Sequence, residues 1–422
     1  FILAAVGSAV GMGNIWLFPY RIGQYGGGAF LVPYFIFVAL FSYVGLSGEF
    51  GLGRLTGTGT SGSFDYVLKK RGKKGGSIIG ILPLLGVLGI AIGYSVVVGW
   101  VLKYAVGSLT GAVLTNEPQA YFDAMAVDFG SIPWHLIAVV LTAAVLLMGV
   151  KDGIEKISKF MMPAFFILFF IIAIRVAFLP GSWEGYLYLL IPDWSYLGKF
   201  ETWVMAMGQA FFSLSINGSG MLIYGSYMKK SEDVIHHSVM TAILDTIAAL
   251  AGVAILPAVF GGGLSPSSGP PLMFVTLPQV FQSMPMGRLF AVFFFVSVFF
   301  AGITSLINMM EACSEALSSQ LKFSRRLAVC VIAVVVFGVS IFLEALPKMG
   351  AWLDTVTIYI APFGALLCAV FIYFILGMKD IKAELNLGRK KPLGRSFDVI
   401  AYFYVIVAAA VLVLGIYYGG IG

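Results

Sequence analysis

Two stretches of small and polar residues interrupt runs of otherwise apolar sequence. Residues 7–14 read GSAVGMGN, and residues 213–220 read SLSINGSG. Glycine adopts backbone conformations that a regular helix excludes, so both stretches predict local unwinding within a helix. Unwinding frees backbone carbonyl oxygens, which suit a small hard cation, and half-helix N-termini present N–H groups, which suit a carboxylate. Such a site favours a zwitterion bound together with a cation.

Close helix packing is the alternative interpretation for either stretch alone, because glycine and serine also let helices approach each other. The two stretches, however, lie in the first and the sixth of the long apolar runs. With five helices in each half, the second half enters the membrane from the opposite side. Paired interruptions of this kind are typical of an inverted repeat with broken helices around a central site.

The composition indicates a membrane protein. Of the 422 residues, 59% are hydrophobic and only 11% are charged, and the mean hydropathy is +0.96. A soluble domain of this length needs more surface charge, and the composition also excludes a disordered or disulfide-stabilised chain. Runs long enough to cross a bilayer cover residues 1–22, 28–53, 78–110, 132–150, 158–179, 201–228, 234–258, 289–317, 325–346, 350–376 and 397–419.

We therefore predict an all-α integral membrane protein with eleven transmembrane helices in a single transporter domain, residues 1–422. Its 5+5 inverted repeats cover about residues 1–180 and 201–376, its broken helices are the first and the sixth, and residues 397–419 form an extra helix. The apolar connection 259–288 is rich in proline and glycine, which predicts a segment that folds back as a lid.

Basic residues fix the predicted orientation. If the first helix starts on the cytoplasmic side, 20 of the 26 lysines and arginines flank the helices on that side. This bias predicts a cytoplasmic N-terminus in a multi-pass protein of the cell inner (plasma) membrane. The net charge of +6 then reflects topology and contact with the lipid bilayer, and nucleic acid is not implied.

Four motifs resemble those of a known family. They are Gly7–Tyr20 (GSAVGMGNIWLFPY), Gly26–Phe30 (GGGAF), residues 213–220 and Phe299–Ser305 (FFAGITS). Together they resemble the neurotransmitter:sodium symporter family, and the similarity spans the whole chain. The resemblance implies the leucine-transporter fold, alternating access and an amino acid driven by a sodium gradient, and it does not imply an enzyme.

The resemblance also implies two sodium ions bound by oxygen ligands. The first site would use the substrate carboxylate and four residues, Ala9, Asn14, Ser213 and Asp245. The second would use carbonyls and hydroxyls of Gly7, Val10, Ala301, Thr304 and Ser305. Oxygen-only ligands are what a hard cation requires.

The implied substrate site lies between these ions. Its carboxylate would meet the amides of Met12 and Gly13 and the hydroxyl of Tyr94, and its ammonium would meet carbonyls and the Ser215 hydroxyl. Gly11 stands where the family's monoamine carriers have an aspartate, so the substrate brings its own carboxylate. The full predicted set is Ala9, Gly11, Met12, Gly13, Ile90, Tyr94, Phe212, Ser213, Ser215, Asn217, Gly218, Ser305, Leu306 and Met309.

The side-chain pocket would be roomy, because some relatives place a bulky aromatic residue where Gly218 stands. Met309 can repack around different ligands, since methionine is unbranched. Large hydrophobic or aromatic amino acids such as tryptophan or leucine are therefore the predicted substrates. The sequence does not settle the oligomeric state.

Two acidic residues lie within predicted helices. The family generally has asparagine at the position of Asp245, so this carboxylate could replace the chloride that some members require, which predicts chloride-independent transport. The alternative is a packing aspartate bonded to a neighbouring hydroxyl. By resemblance, Glu49 supports the unwound part of the sixth helix, and an unrelated buried hydrogen bond is its alternative.

The gates follow the family pattern only in part. Phe212 and Tyr94 would cover the substrate. Asp354 matches an outer-gate acid, but Leu17 replaces its arginine partner, and Arg21 is a candidate substitute. Tyr227 matches an inner-gate residue, whereas Ser319 replaces the acid.

Gly153 and Pro163 mark the start of the fifth helix, where glycine and proline lower the cost of unwinding. Unwinding there could release the second sodium. The alternative is a proline that simply starts a helix.

Other functional classes are less well supported. His236 and His237 are adjacent, so on a helix their side chains diverge and do not easily bind one metal ion. The sequence also lacks the rings of charge that line many channels. A receptor that binds an amino acid without transporting it is an alternative function that the sequence leaves possible.

Overall fold

A computed structural model describes residues 1–253 and 271–421, apart from the side chains of Trp16 and Lys151. Every regular element in these residues is helical. The main helices are α1 (Ile2–Ala9), α2 (Gly13–Gln24), α3 (Gly27–Thr56), α4 (Gly76–Thr110), α5 (Ile132–Leu147), α6 (Asp152–Ala177), α7 (Phe200–Ser213), α8 (Gly220–Ser226), α9 (Val234–Val253), α10 (Gly287–Gln320), α11 (Arg325–Leu343), α12 (Leu346–Leu385) and α13 (Arg395–Tyr418).

An all-α membrane fold is confirmed. Within the described ranges, eight helices are long and apolar enough to cross a membrane, namely α3, α4, α6 and α9 to α13. The pair α1 and α2 forms a further span with a 66° bend. The shorter helix α5 and the pair α7 and α8 occupy the remaining two predicted positions. The total of eleven spans stays a prediction.

The outer helix faces carry large apolar side chains. Phe160 is 68% exposed, Phe170 66% and Val334 71%, whereas Trp100 inside the bundle is 1% exposed. Exposed apolar surface on this scale is costly in water and is expected where lipid is the solvent. The structure thus reproduces the pattern that the composition predicts.

The bundle is built around α4 and α10, which are the most deeply buried of the long helices and pack along each other. Helix α1 packs against α10, α9 and α6. Gly7 permits this approach, because a Cβ atom there would lie 3.0 Å from Cβ of Thr304. The end of α1 therefore lies in the centre of the bundle.

Both predicted helix breaks are confirmed. Helix α1 ends at Ala9, and Val10 is extended with φ −65° and ψ 112°. Helix α7 ends at Ser213, after which Ser215 and Gly218 have φ values of +52° and +78°. A left-handed serine is strained, and such strain is concentrated at functional sites.

Residues 259–270 of the predicted lid and the end of the predicted seventh run, residues 254–258, lie outside the described residues. The rest of the lid includes the helix Leu277–Ser283. Its start is buried, because Leu272, Phe274 and Leu277 are each at most 3% exposed.

At one end of the bundle, basic side chains join three chain segments. Arg54 Nε lies 2.7 Å from Glu384 Oε1, and Lys230 Nζ lies 2.9 Å from the same oxygen. Arg389 pairs with Asp233 at 2.9 Å. We call this end, defined by Arg54, Lys230 and Arg389, the basic end. It is the end that the charge bias predicts to face the cytoplasm.

Candidate functional site

A cavity lies between the two helix breaks. One end is lined by polar groups of the breaks, and the other by apolar side chains of α7, α12 and α13. Its lining residues are Ser8, Ala9, Gly11, Met12, Gly13, Asn14, Ile90, Tyr94, Gly208, Phe211, Phe212, Ser213, Ser215, Ile216, Asn217, Ser305, Met309, Thr357, Ile358, Ala361, Pro362, Val411, Gly415, Gly420 and Ile421.

Three buried polar side chains meet beside the cavity and form what we call the charged cluster: Asn14, Ser213 and Asp245. Asn14 Nδ2 donates to Asp245 Oδ1 at 2.7 Å, and Ser213 Oγ donates to Asp245 Oδ2 at 2.6 Å. Asp245 is fully buried, and no ion pair within residues 1–253 and 271–421 includes it. A buried carboxylate without a cationic partner is costly, so this cluster favours a bound cation.

A second group, the neutral cluster, joins α1 to α10 and consists of Gly7, Val10, Ala301, Thr304 and Ser305. Ser305 Oγ lies 3.2 Å from the Gly7 carbonyl, 3.0 Å from the Val10 carbonyl and 3.2 Å from the Ala301 carbonyl. Thr304 Oγ1 lies 3.1 Å from the same Ala301 carbonyl. The structure thus brings together all five oxygen atoms that are predicted as ligands of the second ion.

The polar end of the cavity offers an N–H group and a hydroxyl. Tyr94 Oη accepts a hydrogen bond of 3.1 Å from the Met12 amide. Gly11 must be small, because an added Cβ would lie 3.0 Å from Tyr94 Oη and 3.3 Å from Ser305 Oγ. An aspartate at this position would therefore crowd both hydroxyls.

Ser215 links the two breaks directly. Its hydroxyl donates to the Ser8 carbonyl at 3.1 Å, and its left-handed backbone turns the chain out of α7. The carbonyl of Ser8 also lies 3.3 Å from Ser305 Oγ. Carbonyl groups freed by unwinding therefore face the cavity from α1, as an ammonium group requires.

The apolar walls include part of the predicted pocket. Ile90 packs with Val356 and Ala361 of α12, and Met309 packs against the same group. Gly218 and Leu306, both predicted to line the pocket, do not line the cavity. Gly218 also provides no extra room, because an added Cβ would lie 2.6 Å from the Gly364 carbonyl. The glycine is required by the backbone.

Glu49 and Asn217 hold the second break. Glu49 Oε1 accepts a 2.8 Å hydrogen bond from the Gly218 amide. Asn217 Oδ1 accepts from the amides of Ser219 and Gly220 at 3.0 and 2.9 Å. Asn217 therefore caps the N-terminus of α8, a role beyond its predicted place in the pocket.

Comparison with known proteins agrees with this arrangement. The model of the sodium:neurotransmitter symporter family matches residues 1–124 and 119–417. The chain belongs to this symporter family. An uncharacterized sodium-dependent transporter of Bacillus subtilis, YhdH, is 33% identical over 96% of this chain and 92% of its own length. A sodium-dependent transporter of Haemophilus influenzae is 30% identical over 92% of this chain and 90% of its own.

The fold matches a solved structure at similar identity. The crystal structure of MhsT in complex with L-phenylalanine has a TM-score of 0.88 and 31% identity, covering 98% of this chain and 97% of that one. The protein is therefore a multi-pass member of the symporter family with an MhsT-like, leucine-transporter fold. Its family function is sodium-coupled transport.

Several residues that line the cavity were not predicted from the symporter motifs. They include Phe211, Ile358 and Pro362. A signal for α12 exists in the sequence, because Pro362 removes a backbone donor within an apolar run. A π-helical stretch, Val356–Ile360, lies immediately before it. Such π-helical turns are frequent at functional sites.

The predicted outer-gate pair is absent among the described residues. Asp354 is exposed and makes no ion pair there, while Arg21 Nη1 lies 3.2 Å from Met205 Sδ. Arg21 is thus not the partner of Asp354 in this conformation.

The basic end of the symporter contains a further polar group, of which only Tyr227 was predicted from the sequence as a gate residue. Tyr227 Oη donates to Glu311 Oε1 at 2.6 Å, and Arg325 binds both oxygens of the same carboxylate at 3.0 and 2.9 Å. Among the described residues, the Ser319 hydroxyl hydrogen-bonds to the Ala316 carbonyl and to Gln320. Sequence reasoning missed Glu311, although an acid within an apolar run signals a buried partner.

Gly153 and Pro163 lie in a continuous helical stretch. A π-helical turn, Val150–Glu155, leads into the helix that contains Pro163. Gly153 is also required for packing, because a Cβ there would overlap the Val145 carbonyl. Met162 lies beside Pro163, and its Sδ is 3.8 Å from Thr304 Oγ1 of the neutral cluster.

The two histidines do not form a metal site. His237 Nδ1 lies 2.8 Å from the Asp233 carbonyl, and the rings of His236 and His237 are nearly perpendicular at 88°. In the part of the chain that the structure describes, no group of three histidine, cysteine or acidic side chains is arranged to hold a metal.

Proposed function

We propose that this symporter imports large hydrophobic or aromatic L-amino acids with two sodium ions, independently of chloride, by alternating access. The observation that carries the proposal is the pair of oxygen clusters on either side of the α1 break. The charged cluster offers a carboxylate, and the neutral cluster offers only carbonyls and hydroxyls. These are the ligands that a hard cation prefers.

The cavity supports a zwitterionic substrate. Its polar end carries the Met12 amide and Tyr94 hydroxyl for a carboxylate, and carbonyls from α1 for an ammonium. The rest of its lining is mostly apolar and includes Phe211 and Ile358. A substrate with charged groups at one end and a large apolar side chain at the other matches this division.

Asp245 supports chloride independence. The carboxylate belongs to the charged cluster and supplies a negative charge that would offset one sodium ion. Nearby, the buried side-chain amide of Gln209 finds no hydrogen-bond partner in the described ranges. Gln209 is one helical turn before Ser213. It is a candidate to bind ordered water in this protein.

The proposed topology places the basic end in the cytoplasm and the protein in the plasma membrane, with two inverted repeats at about residues 1–180 and 201–376. With 100 mV inside negative, each sodium ion supplies about 2.3 kcal/mol for uptake. Two ions would therefore drive strong accumulation of a neutral zwitterion.

The test is uptake of labelled tryptophan and leucine into proteoliposomes with an inward sodium gradient. Potassium replaces sodium in one control, and gluconate replaces chloride in another. Sodium-driven accumulation that persists in gluconate is expected. Sodium-dependent binding without accumulation would favour a receptor. Loss of uptake in gluconate would refute chloride independence, and no response to sodium would refute the proposed sodium sites.

A further inference from the structure

We propose that Ile421, which follows the last helix, is a specificity-determining residue that limits the size of the substrate side chain. This inference rests on the proposed function, because it concerns the apolar end of the same cavity. Ile421 is separated in sequence from every motif of the broken helices, yet it lines the cavity together with Gly420. It is 4% exposed, so it is a packed wall residue.

The chain turns back sharply after α13 to bring Ile421 inward. Gly419 and Gly420 have φ values of +66° and +122°, which other residues rarely adopt. The Gly420 amide donates to the Gly415 carbonyl at 2.9 Å and closes the helix end. The turn directs the next residue toward α7 instead of away from the bundle.

Gly208 makes room for Ile421. A Cβ added at Gly208 of α7 would overlap the Ile421 carbonyl and lie 2.5 Å from Ile421 Cγ1, whereas one added at Gly415 of α13 would be in ordinary contact, 3.9 Å from the same Cγ1. Both glycines also line the cavity. The side chain of Ile421 therefore packs between α7 and the end of α13.

The position of Gly208 relates this wall to the substrate. Gly208 and Phe212 are four residues apart in α7, so they lie on one face about 6 Å apart along the axis. Phe212 is a predicted contact of the substrate. The space filled by Ile421 is therefore about one helical turn from Phe212 along α7.

Shortening Ile421 should enlarge the apolar end, and large substrates should gain contacts there while small ones do not. In Ile421→Ala, we expect the ratio of tryptophan to valine affinity to rise about tenfold, the size of effect typical of one or more methylene groups in an apolar pocket. Ile421→Val should shift the ratio in the same direction by a smaller factor, and Ile421→Phe should shift it in the opposite direction.

The experiment measures sodium-dependent binding of labelled amino acid to the purified full chain, with displacement by valine, leucine, phenylalanine and tryptophan. Ile416→Ala is the matched control, because Ile416 lies near the end of the same helix and is 46% exposed. An unchanged affinity ratio in Ile421→Ala, or an equal shift in the control, would overturn the inference. If Ile421→Ala does not fold, the ratio in Ile421→Val decides. Absence of sodium-dependent binding by the wild type would instead refute the proposed function.

Discussion

The charged and neutral clusters flank the same break between α1 and α2, but they differ in charge and in their neighbours. The charged cluster contains Asp245, and Asn14 and Ser213 also line the cavity. The neutral cluster holds no ionisable side chain, and its hydroxyls come from Thr304 and Ser305 of α10, of which Ser305 lines the cavity.

This difference assigns the two clusters different tasks. A cation in the charged cluster would lie beside the substrate and be balanced by a carboxylate. A cation in the neutral cluster would join α1 to α10, where Met162 of α6 touches Thr304. We therefore expect changes in the first cluster to affect charge balance and substrate affinity together, and changes in the second to affect sodium affinity and conformational change.

The largest expected effect is that of Asp245→Asn, which removes the charge that distinguishes the clusters. A cation about 4 Å from a carboxylate gains about 4 kcal/mol at an effective dielectric constant of 20. Sodium-driven uptake in gluconate should therefore fall by about a thousandfold. The measurement is initial uptake in proteoliposomes over a range of sodium concentrations.

Asp128→Asn is the control for this change, because Asp128 is exposed and pairs with Lys348 outside the cavity. It should transport like the wild type. Uptake by Asp245→Asn within tenfold of the wild type in gluconate would show that the charge of Asp245 is not needed for cation binding.

A second test adds charge where the two clusters meet. In Gly11→Asp the new side chain would start 3.0 Å from Tyr94 Oη and 3.3 Å from Ser305 Oγ. Its carboxylate would repel the substrate carboxylate, so we expect amino-acid affinity to fall by about a hundredfold, about 2.7 kcal/mol. Gly11→Asn has the same size without the charge. Equal losses in both variants would mean that crowding, not repulsion, determines the result.

A third test weakens the neutral cluster. Ser305→Ala removes the hydroxyl that lies within 3.2 Å of the carbonyls of Gly7, Val10 and Ala301. Loss of one ligand should raise the sodium concentration for half-maximal uptake about tenfold, as for one hydrogen bond of about 1.4 kcal/mol.

Ser314→Ala is the matched control for this test. Ser314 is also buried in α10, but within residues 1–253 and 271–421 its hydroxyl donates only to the Met310 carbonyl. Substrate affinity at saturating sodium should be unchanged in Ser314→Ala, because Ser314 does not line the cavity. If Ser314→Ala raised the sodium concentration for half-maximal uptake as much as Ser305→Ala does, the cause would be altered helix packing and not the loss of an ion ligand in the neutral cluster.

The helix breaks were predictable because their cause is local. Glycine and polar residues concentrated at residues 7–14 and 213–220 disfavour a regular helix wherever the chain folds. The charged cluster was accessible only through the family motifs, since Asn14, Ser213 and Asp245 come from three distant segments. The family resemblance placed these residues in one site, and the structure brings them within hydrogen-bond distance.

Features that depend on packing between distant segments were not predictable. The backbone requirement at Gly218 comes from Gly364, 146 residues away, and the wall formed by Ile421 depends on Gly208 of α7. The Arg325 pair with Glu311 was missed for a different reason. Arg325 is one of the 20 basic residues that set the predicted orientation and was not assigned a partner, although a buried acid on the neighbouring helix needs one.

The smallest expected effect tests the link between α6 and the neutral cluster. Pro163 lacks an amide hydrogen and lies within α6, so the helix forms one backbone hydrogen bond fewer at this point. Restoring that bond in Pro163→Ala should make unwinding harder by about 0.7 kcal/mol and slow transport about threefold. Sodium-dependent substrate binding should not change, because neither cluster includes Pro163. The measurements are uptake rate and equilibrium binding in the same preparation.

Pro133→Ala is the control, since Pro133 is exposed in the first turn of α5, where no amide donor is required. Slower transport in Pro163→Ala but not in Pro133→Ala would indicate that unwinding of α6 controls release of the ion from the neutral cluster. Equal rates in both variants would indicate that α1 and α10 control this release.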